Sequence, residues 1–326
     1  MRCIERENTD PYFNIAAEEY CLREFSDDIF MLWRNAPCII VGKHQNTLAE
    51  INVAYVEQHN IPVVRRITGG GTVFHDLGNI NFTFIRNGQT DELVDFRGFT
   101  KPILEALQKI GVDARFEGRN DLTIDGKKFS GNAEHVYKNR VLHHGTLLFS
   151  SQLTDLSSAL KVDPHKFTDK AVKSVRSRVT NIASHLKEPM DVLAFKNLVL
   201  QHIRQTHPEM EITRFSEDDI NKINQLADRK YRTREWNYGY SPRYNFQRKL
   251  KASGGNIEFN LEVKNGIIEK IKIFGDYFSL HDTADIEHLL ENVPHDRQAI
   301  MQRLQNTNLQ HYFKNVTTEE FLDGMF

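Results

Sequence analysis

Arg65-Arg66-Ile67-Thr68-Gly69-Gly70-Gly71-Thr72-Val73-Phe74-His75-Asp76 concentrates residues able to do chemistry. Three consecutive glycines strip every Cβ from a short loop, so backbone N–H groups can approach an anion closely. Two arginines before the loop add permanent charge and planar donors. The pattern suits a phosphate-bearing ligand. No Gly-Lys-Ser/Thr follows, so this is not a P-loop, and it does not fit Gly-x-Gly-x-x-Gly. A merely flexible turn is the other reading. Farther on, Asp125-Gly126 has the turn chemistry of a two-residue hairpin. Lys127 and Lys128 then start the returning strand on opposite faces, one facing inward and one solvated. His143-His144 invites a metal-binding reading, but neighbours on a strand point to opposite sides and cannot easily share one ion.

The elements that must carry these residues mix strands and helices without a strict βαβ order. Asp10-Pro11 reads as an N-cap and first helical residue, with the helix running to about Phe25. Phe30–Arg34 and Cys38–Gly42 read as strands around an Asn35-Ala36-Pro37 turn. Val63–Arg66 enters the glycine loop as a strand. Asn81–Arg86 alternates polar and apolar, the period of a half-buried strand. Ile103, Leu104, Leu107 and Ile110 fall at helical spacing, with Pro102 near the start. Val141–Ser150 reads as a strand, and 161–243 as mostly helical. After a Tyr240-Ser241-Pro242 turn, strands at 257–263 and 267–273 flank an Asn265-Gly266 turn. Helices follow, the last begun by the capping box Thr317-x-x-Glu320. The expected class is α+β: a mixed β-sheet domain with packed helices over 1–245, and a small α+β domain over 246–326.

Bulk properties narrow the function classes. The 326 residues carry a net charge of -2, so no global basic field points to nucleic acid. No apolar run approaches the roughly 20 residues of a membrane span. The first residues include early acids and no apolar core, unlike a signal peptide. Three cysteines, Cys3, Cys21 and Cys38, lack C-x-x-C spacing and fit a reducing cytoplasm.

Several motifs occur together and in order. They are Phe13-Asn14-Ile15-Ala16-Ala17-Glu18-Glu19, Leu32-Trp33-Arg34-Asn35, and the glycine loop with His75-Asp76-Leu77-Gly78-Asn79. Gly118-Arg119-Asn120-Asp121, Lys128-Phe129-Ser130-Gly131-Asn132-Ala133 and His143-His144-Gly145-Thr146-Leu147-Leu148 follow. Ser174-Val175-Arg176-Ser177-Arg178-Val179-Thr180-Asn181 and Trp236-Asn237-Tyr238-Gly239 complete the series. Over about 240 residues this order resembles the lipoate–protein ligases, and the C-terminal segment resembles, less distinctly, their small accessory domain. After Ala133 the chain departs from the family: Glu134-His135-Val136-Tyr137 stands where an aromatic and a basic residue are usual.

The resemblance implies activation of free lipoate by Mg-ATP to lipoyl-adenylate and pyrophosphate. The lipoyl group then passes to a lysine of a lipoyl domain, in 2-oxoacid dehydrogenase acyltransferase subunits or the glycine-cleavage H protein. It places the essential lysine at Lys128 rather than Lys127. Arg66, Gly71, Thr72, Val73 and Phe74, with Lys128, would hold ATP; Phe74 near the adenine or packed in the core are both open. Trp33, Gly70, Leu142 and His144, with Lys128 and Glu18 or Glu19, would surround lipoate, although a tryptophan alone is more often core. Asp121, with Asn120 beside it, would hold Mg²⁺, or simply cap a turn. The rivals are a lipoyl or octanoyl transferase working through a cysteine thioester, and a noncatalytic lipoyl-carrier-binding protein. The three cysteines all precede Arg65, away from Lys128 and His144, which disfavours the first.

Overall fold

The computed structural model describes residues 1–326 except 89–93, 153–157, 161–163, 170–178, 242, 276 and 278. Ser174–Arg178 of the motif series and Pro242 of the expected turn lie outside the described residues. The chain forms two compact units. One comprises Met1–Lys43, His59–Ala159 and Ser174–Thr233; the other comprises His44–Gln58, Leu160–Lys173 and Arg234–Phe326.

In chain order the strands of the first unit are β1 (Arg2–Ile4), β2 (Ile29–Trp33), β3 (Cys38–Val41), β4 (Val63–Arg65), β5 (Val73–His75) and β6 (Asn79–Asn87). They continue with β7 (Ala114–Glu117), β8 (Asp121–Ile124), β9 (Lys127–Tyr137) and β10 (Arg140–Leu148). After β11 (Phe167–Asp169), which belongs to the second unit, β12 (Glu211–Thr213) closes the list. The main sheet has the order β12-β1-β2-β6-β10-β9-β8-β7, and β4-β3-β5 form a small sheet around the glycine loop. β1 pairs in parallel with both β2 and β12, while β6, β8, β9 and β10 pair antiparallel, so the sheet is mixed as expected. β2 and β3 lie in different sheets, so the Asn35-Ala36-Pro37 turn hands the chain from one sheet to the other.

The helix Pro11–Glu24 starts as the sequence predicts, with the Asp10 side chain accepting from the Tyr12 N–H. Two expectations are corrected. The Asn81–Arg86 strand is not half-solvated: β6 lies between β2 and β10 and is buried on both faces, its polar residues turned into a hydrogen-bonded interior. Pro102 lies in the middle of the helix Phe96–Lys109, because Asp95 caps it a turn and more upstream by accepting from Gly98 N–H. The 161–243 span is mostly helical among its described residues, as expected, and adds the short strands β11 and β12 to the helices Val192–Thr206 and Glu217–Leu226 and several shorter helical turns. Three-residue strands carry too few positions for a period to show.

The apolar core of the first unit packs Phe30, Phe82, Phe84 and Phe129 of the sheet against Phe99, Ile103 and Phe195 of the helices. The second unit builds its own core on β13 (Tyr244–Ala252), β14 (Gly255–Lys264) and β15 (Ile267–Gly275), with β11 at the edge beside β13. Alternating inward residues Ile257, Phe259, Leu261 and Val263 meet Phe313, Phe321 and Leu290. The turn Asn265-Gly266 and the Thr317–Glu320 capping box are both present. Trp236–Gly239 folds as a short wide helical turn in this unit.

Candidate active site

Both arginines before the glycine loop are buried, and their charge is turned onto backbone. Arg65 donates through Nη1 to the Gly42 and Lys43 carbonyls, each at 3.0 Å. Arg66 donates through Nε to Thr68 Oγ1 at 2.8 Å and through Nη1 to the Ile40 carbonyl at 3.2 Å. Its Nη2 reaches the Gly69 carbonyl at 2.6 Å and the Gly71 carbonyl at 2.8 Å. Burial pulls the Arg66 guanidinium down to about 10, with Glu18 opposing the shift. With these carbonyls turned onto Arg66, the N–H groups of Gly70 and Thr72 on the same trans peptides point away from it. Gly70 takes φ +89°, and a Cβ there would fall 2.9 Å from Arg66 Nη2. The same point lies 4.0 Å from the Ala133 side chain, so the loop rests against β9. Thr72 and Phe74 are buried and Val73 half-buried, which places Phe74 in the sheet core.

A chain of buried hydrogen bonds continues from that clamp. Thr68 Oγ1 lies 2.8 Å from His144 Nε2, and His144 Nδ1 lies 3.0 Å from both Glu18 oxygens. Glu18 Oε1 accepts from the Thr83 hydroxyl at 2.6 Å, and Thr83 Oγ1 accepts from the Trp33 indole N–H at 2.8 Å. Glu18, already accepting from Thr83, faces His144 Nδ1, and Thr68 accepts from Arg66 while its oxygen meets His144 Nε2. Trp33, His144, Arg66 and Gly70 are thus joined through two residues absent from the predicted site, Thr68 and Thr83, and Glu18 is resolved from Glu19. Glu19 instead pairs with Arg23 and Lys230, at 2.8 and 2.7 Å, and accepts from the Tyr231 hydroxyl. Thr68, between the arginine and the glycines, and Glu18, an acid in the apolar run Ile15-Ala16-Ala17, were the available signals. Hydroxyl, imidazole and carboxylate also stand in the order of a nucleophile triad. Thr68 has no exposed surface and its oxygen is capped by Arg66, so the trio braces the loop.

His143 and His144 point to opposite faces of β10, as strand alternation requires. His143 stacks on Phe99 at 4.8 Å, away from Thr68 and Glu18. Leu142 is fully buried beside them, paired with Ile85 and His135.

The second half of the site lies at the start of β9. Asp125 and Gly126 take positive φ, the hairpin turn read from sequence. Lys127 is exposed, whereas Lys128 turns inward and places Nζ 2.8 Å from Asp121 Oδ1 on the adjacent strand. The Lys128 carbonyl accepts from the Thr180 N–H at 2.9 Å, so the end of the 174–181 motif lies alongside. The Asp121 carboxylate is 34% exposed, a single carboxylate that phosphate oxygens and water would complete as a Mg²⁺ donor set. The Lys128 side chain runs along β9 toward Ala133: its Nζ lies 3.0 Å from where a Cβ on Gly131 would sit, two residues before Ala133. The clamped glycine loop, resting on β9 at Ala133, and the Lys128–Asp121 pair thus share one strand.

The cysteines offer no thiolate. All three are buried, and burial pushes Cys3 up to about 11, Cys21 up to about 12 and Cys38 farther.

Known proteins match along this whole arrangement. The Lipoyl protein ligase A/B catalytic domain matches residues 10–204, and the Bacterial lipoate protein ligase C-terminus matches residues 241–325. Lipoate-protein ligase LplJ of Bacillus subtilis (strain 168) is 44% identical over 100% of both chains. A bi-partite lipoate protein ligase from Thermoplasma acidophilum, studied with its E2 lipoyl domain, is 26% identical with a TM-score of 0.64, covering 73% of this chain and 96% of that one. A lipoate-protein ligase A crystallised with ATP is 25% identical with a TM-score of 0.63, covering 73% and 98%. The glycine loop, the inward lysine and the two-part family match together show that this chain belongs to the lipoate–protein ligase family.

Proposed function

We propose that this chain joins free lipoate to a lysine of a lipoyl-carrier domain in two half-reactions. In the first, a lipoate carboxylate oxygen attacks the α-phosphorus of ATP and pyrophosphate leaves. In the second, the deprotonated amine of the acceptor lysine attacks the acyl carbon of lipoyl-adenylate, and AMP leaves as the mixed-anhydride bond breaks. The observation that carries this reading is Lys128, turned inward and 2.8 Å from Asp121, on the strand against which the glycine loop rests. A carboxylate approaching a phosphate meets like-charge repulsion, and a fixed ammonium between them lowers that barrier. Asp121 would hold Mg²⁺, which when bound neutralises phosphate charge.

Lys128 Nζ, beside Gly131 and so toward the Ala133 end where the glycine loop rests, suits an ammonium set between an acyl carboxylate and a phosphate. Gly71, Thr72 and Val73, shaped by Arg66, are assigned to the nucleotide; Gly70, Trp33, Leu142 and His144 are assigned to the lipoyl chain. Phe74 supports the loop from the core. The acceptors we assign are lipoyl domains of 2-oxoacid dehydrogenase acyltransferase subunits and the glycine-cleavage H protein. Three unpaired cysteines favour a reducing compartment, the cytoplasm. The test is incubation with lipoate, Mg-ATP and a lipoyl domain, read by intact mass. One lipoyl addition, lost when the acceptor lysine becomes arginine, is expected; an unmodified domain would contradict the proposal. A thioester route is disfavoured by the buried, proton-retaining cysteines.

A further inference from the structure

The departure from the family pattern at Glu134 builds a second polar cluster, on the opposite face of β10 from His144. His143 is fully buried, with its ring stacked on Phe99 and Phe82 at 4.8 and 5.8 Å and edge-on to Phe96 at 5.6 Å. Glu134, with a side chain 4% exposed, places Oε1 2.8 Å from His143 Nδ1. On the other side of the ring, Nε2 lies 3.3 Å from Asn132 Oδ1.

The Asn132 amide fixes where the protons are. Its Nδ2 donates to the Asn120 carbonyl at 3.1 Å and to Ser130 Oγ at 3.2 Å, so the oxygen must be the atom facing His143. An oxygen acceptor there requires a proton on Nε2. A neutral imidazole protonated on Nε2 presents a lone pair at Nδ1, so Glu134 must be the donor, as a carboxylic acid. The alternative is an imidazolium–carboxylate pair, which three phenylalanine rings make expensive. Burial acts in the same direction, holding His143 well below its ordinary range and pushing Glu134 up to about 7. The charged groups acting on the pair are Arg86 on His143 and Asp95 on Glu134, while His144, the other titratable neighbour of His143, lies on the opposite face of β10.

From Asn132 the contacts lead to the reacting end. Asn120 Nδ2 donates to the Asn132 carbonyl at 2.6 Å, and Asn132 N–H donates to the Asn120 carbonyl at 3.0 Å. Asn120 immediately precedes Asp121, the partner of Lys128. Gly145 makes room for this arrangement, because a Cβ there would fall 2.1 Å from Asn132 Oδ1.

We propose that Glu134, as a neutral carboxylic acid, and His143 are positioning residues: they orient the Asn132 amide, which with Asn120 fixes Asp121 opposite Lys128. The inference rests on the proposed ligase reading and extends it to residues that touch no substrate. The test combines ring-nitrogen NMR of His143 in the full-length protein with adenylation kinetics of Glu134→Ala and Glu134→Gln. A neutral ring protonated on Nε2 is expected. Glu134→Ala should lower the kcat of lipoate-dependent ATP–pyrophosphate exchange about tenfold or more, with KM for ATP changed less than about threefold, as for other outer contacts of a reacting group. Glu134→Gln has an amide N–H to give to Nδ1 and should recover most of that rate. A ring protonated on Nδ1, a wild-type rate in Glu134→Ala, or a folded Glu134→Gln no better than Glu134→Ala would each overturn the proposal. Should wild type show no exchange at all, the ligase reading falls, while the ring spectrum still decides whether Glu134 is the donor.

Discussion

Lys127 and Lys128 share a residue type and differ only in face. Lys128 meets Asp121 and Lys127 is exposed, so Lys128→Ala should lower adenylation by on the order of 10²–10³, the usual cost of removing a preorganised charge-stabilising group. Lys127→Ala should stay close to wild type. Equal effects of the two substitutions in pyrophosphate exchange would remove the distinction. Glu134 gives a second prediction, in stability. Its carboxyl is raised by burial from 4.5 to about 7, so across that window the folded chain keeps a proton that the unfolded chain has lost. Stability therefore falls as pH rises from about 4.5 to about 7 and levels off above. His75, pulled by burial from 6.5 down to about 3, contributes the opposite slope, stability rising with pH between those values. Urea unfolding of wild type and Glu134→Gln across the same pH range isolates the Glu134 contribution as the difference between the curves. Parallel curves would mean that Glu134 does not titrate as argued.

At the scale of elements, the glycine loop is held from inside by Arg66 more than it is flexible. Gly70 shows why: its φ is +89° and its hydrogen sits where a methyl would press on the guanidinium. Alanine there pays about 1–2 kcal/mol for the left-handed backbone alone, which if taken wholly from loop order raises KM for ATP by about tenfold. An unchanged KM in Gly70→Ala would show that the clamp does not shape the nucleotide site. Much of this level was legible in the sequence, because hairpin turns, capping boxes and strand alternation are local. The Asp125-Gly126 turn set Lys127 and Lys128 on opposite faces, with the family resemblance choosing Lys128, and alternation separated His143 from His144. What the arginines do was not legible, since a guanidinium aimed at backbone carbonyls leaves the same sequence trace as one aimed at phosphate. The polar face of β6 was misleading for a related reason. Thr83 looks solvated by its period, yet it faces Glu18, a partner 65 residues away in sequence. Strands β1 and β12 are three residues each and pair across the chain, a long-range choice that no local pattern carries.

For the whole molecule, two chemistries compete: adenylate activation by ATP and thioester transfer through cysteine. All three cysteines are buried and hold their protons, so the combined Cys3→Ala, Cys21→Ala and Cys38→Ala variant should retain lipoylation whenever it folds. Loss of transfer with adenylation intact in the folded variant would revive the thioester route. The most direct test of the central claim is lipoate-dependent ATP–pyrophosphate exchange with Mg²⁺ on the purified chain, with no acceptor present. Label moving from pyrophosphate into ATP only when lipoate is added is the predicted result. No exchange, either alone or with a lipoyl domain supplied, would contradict adenylate formation and with it the role given to Lys128.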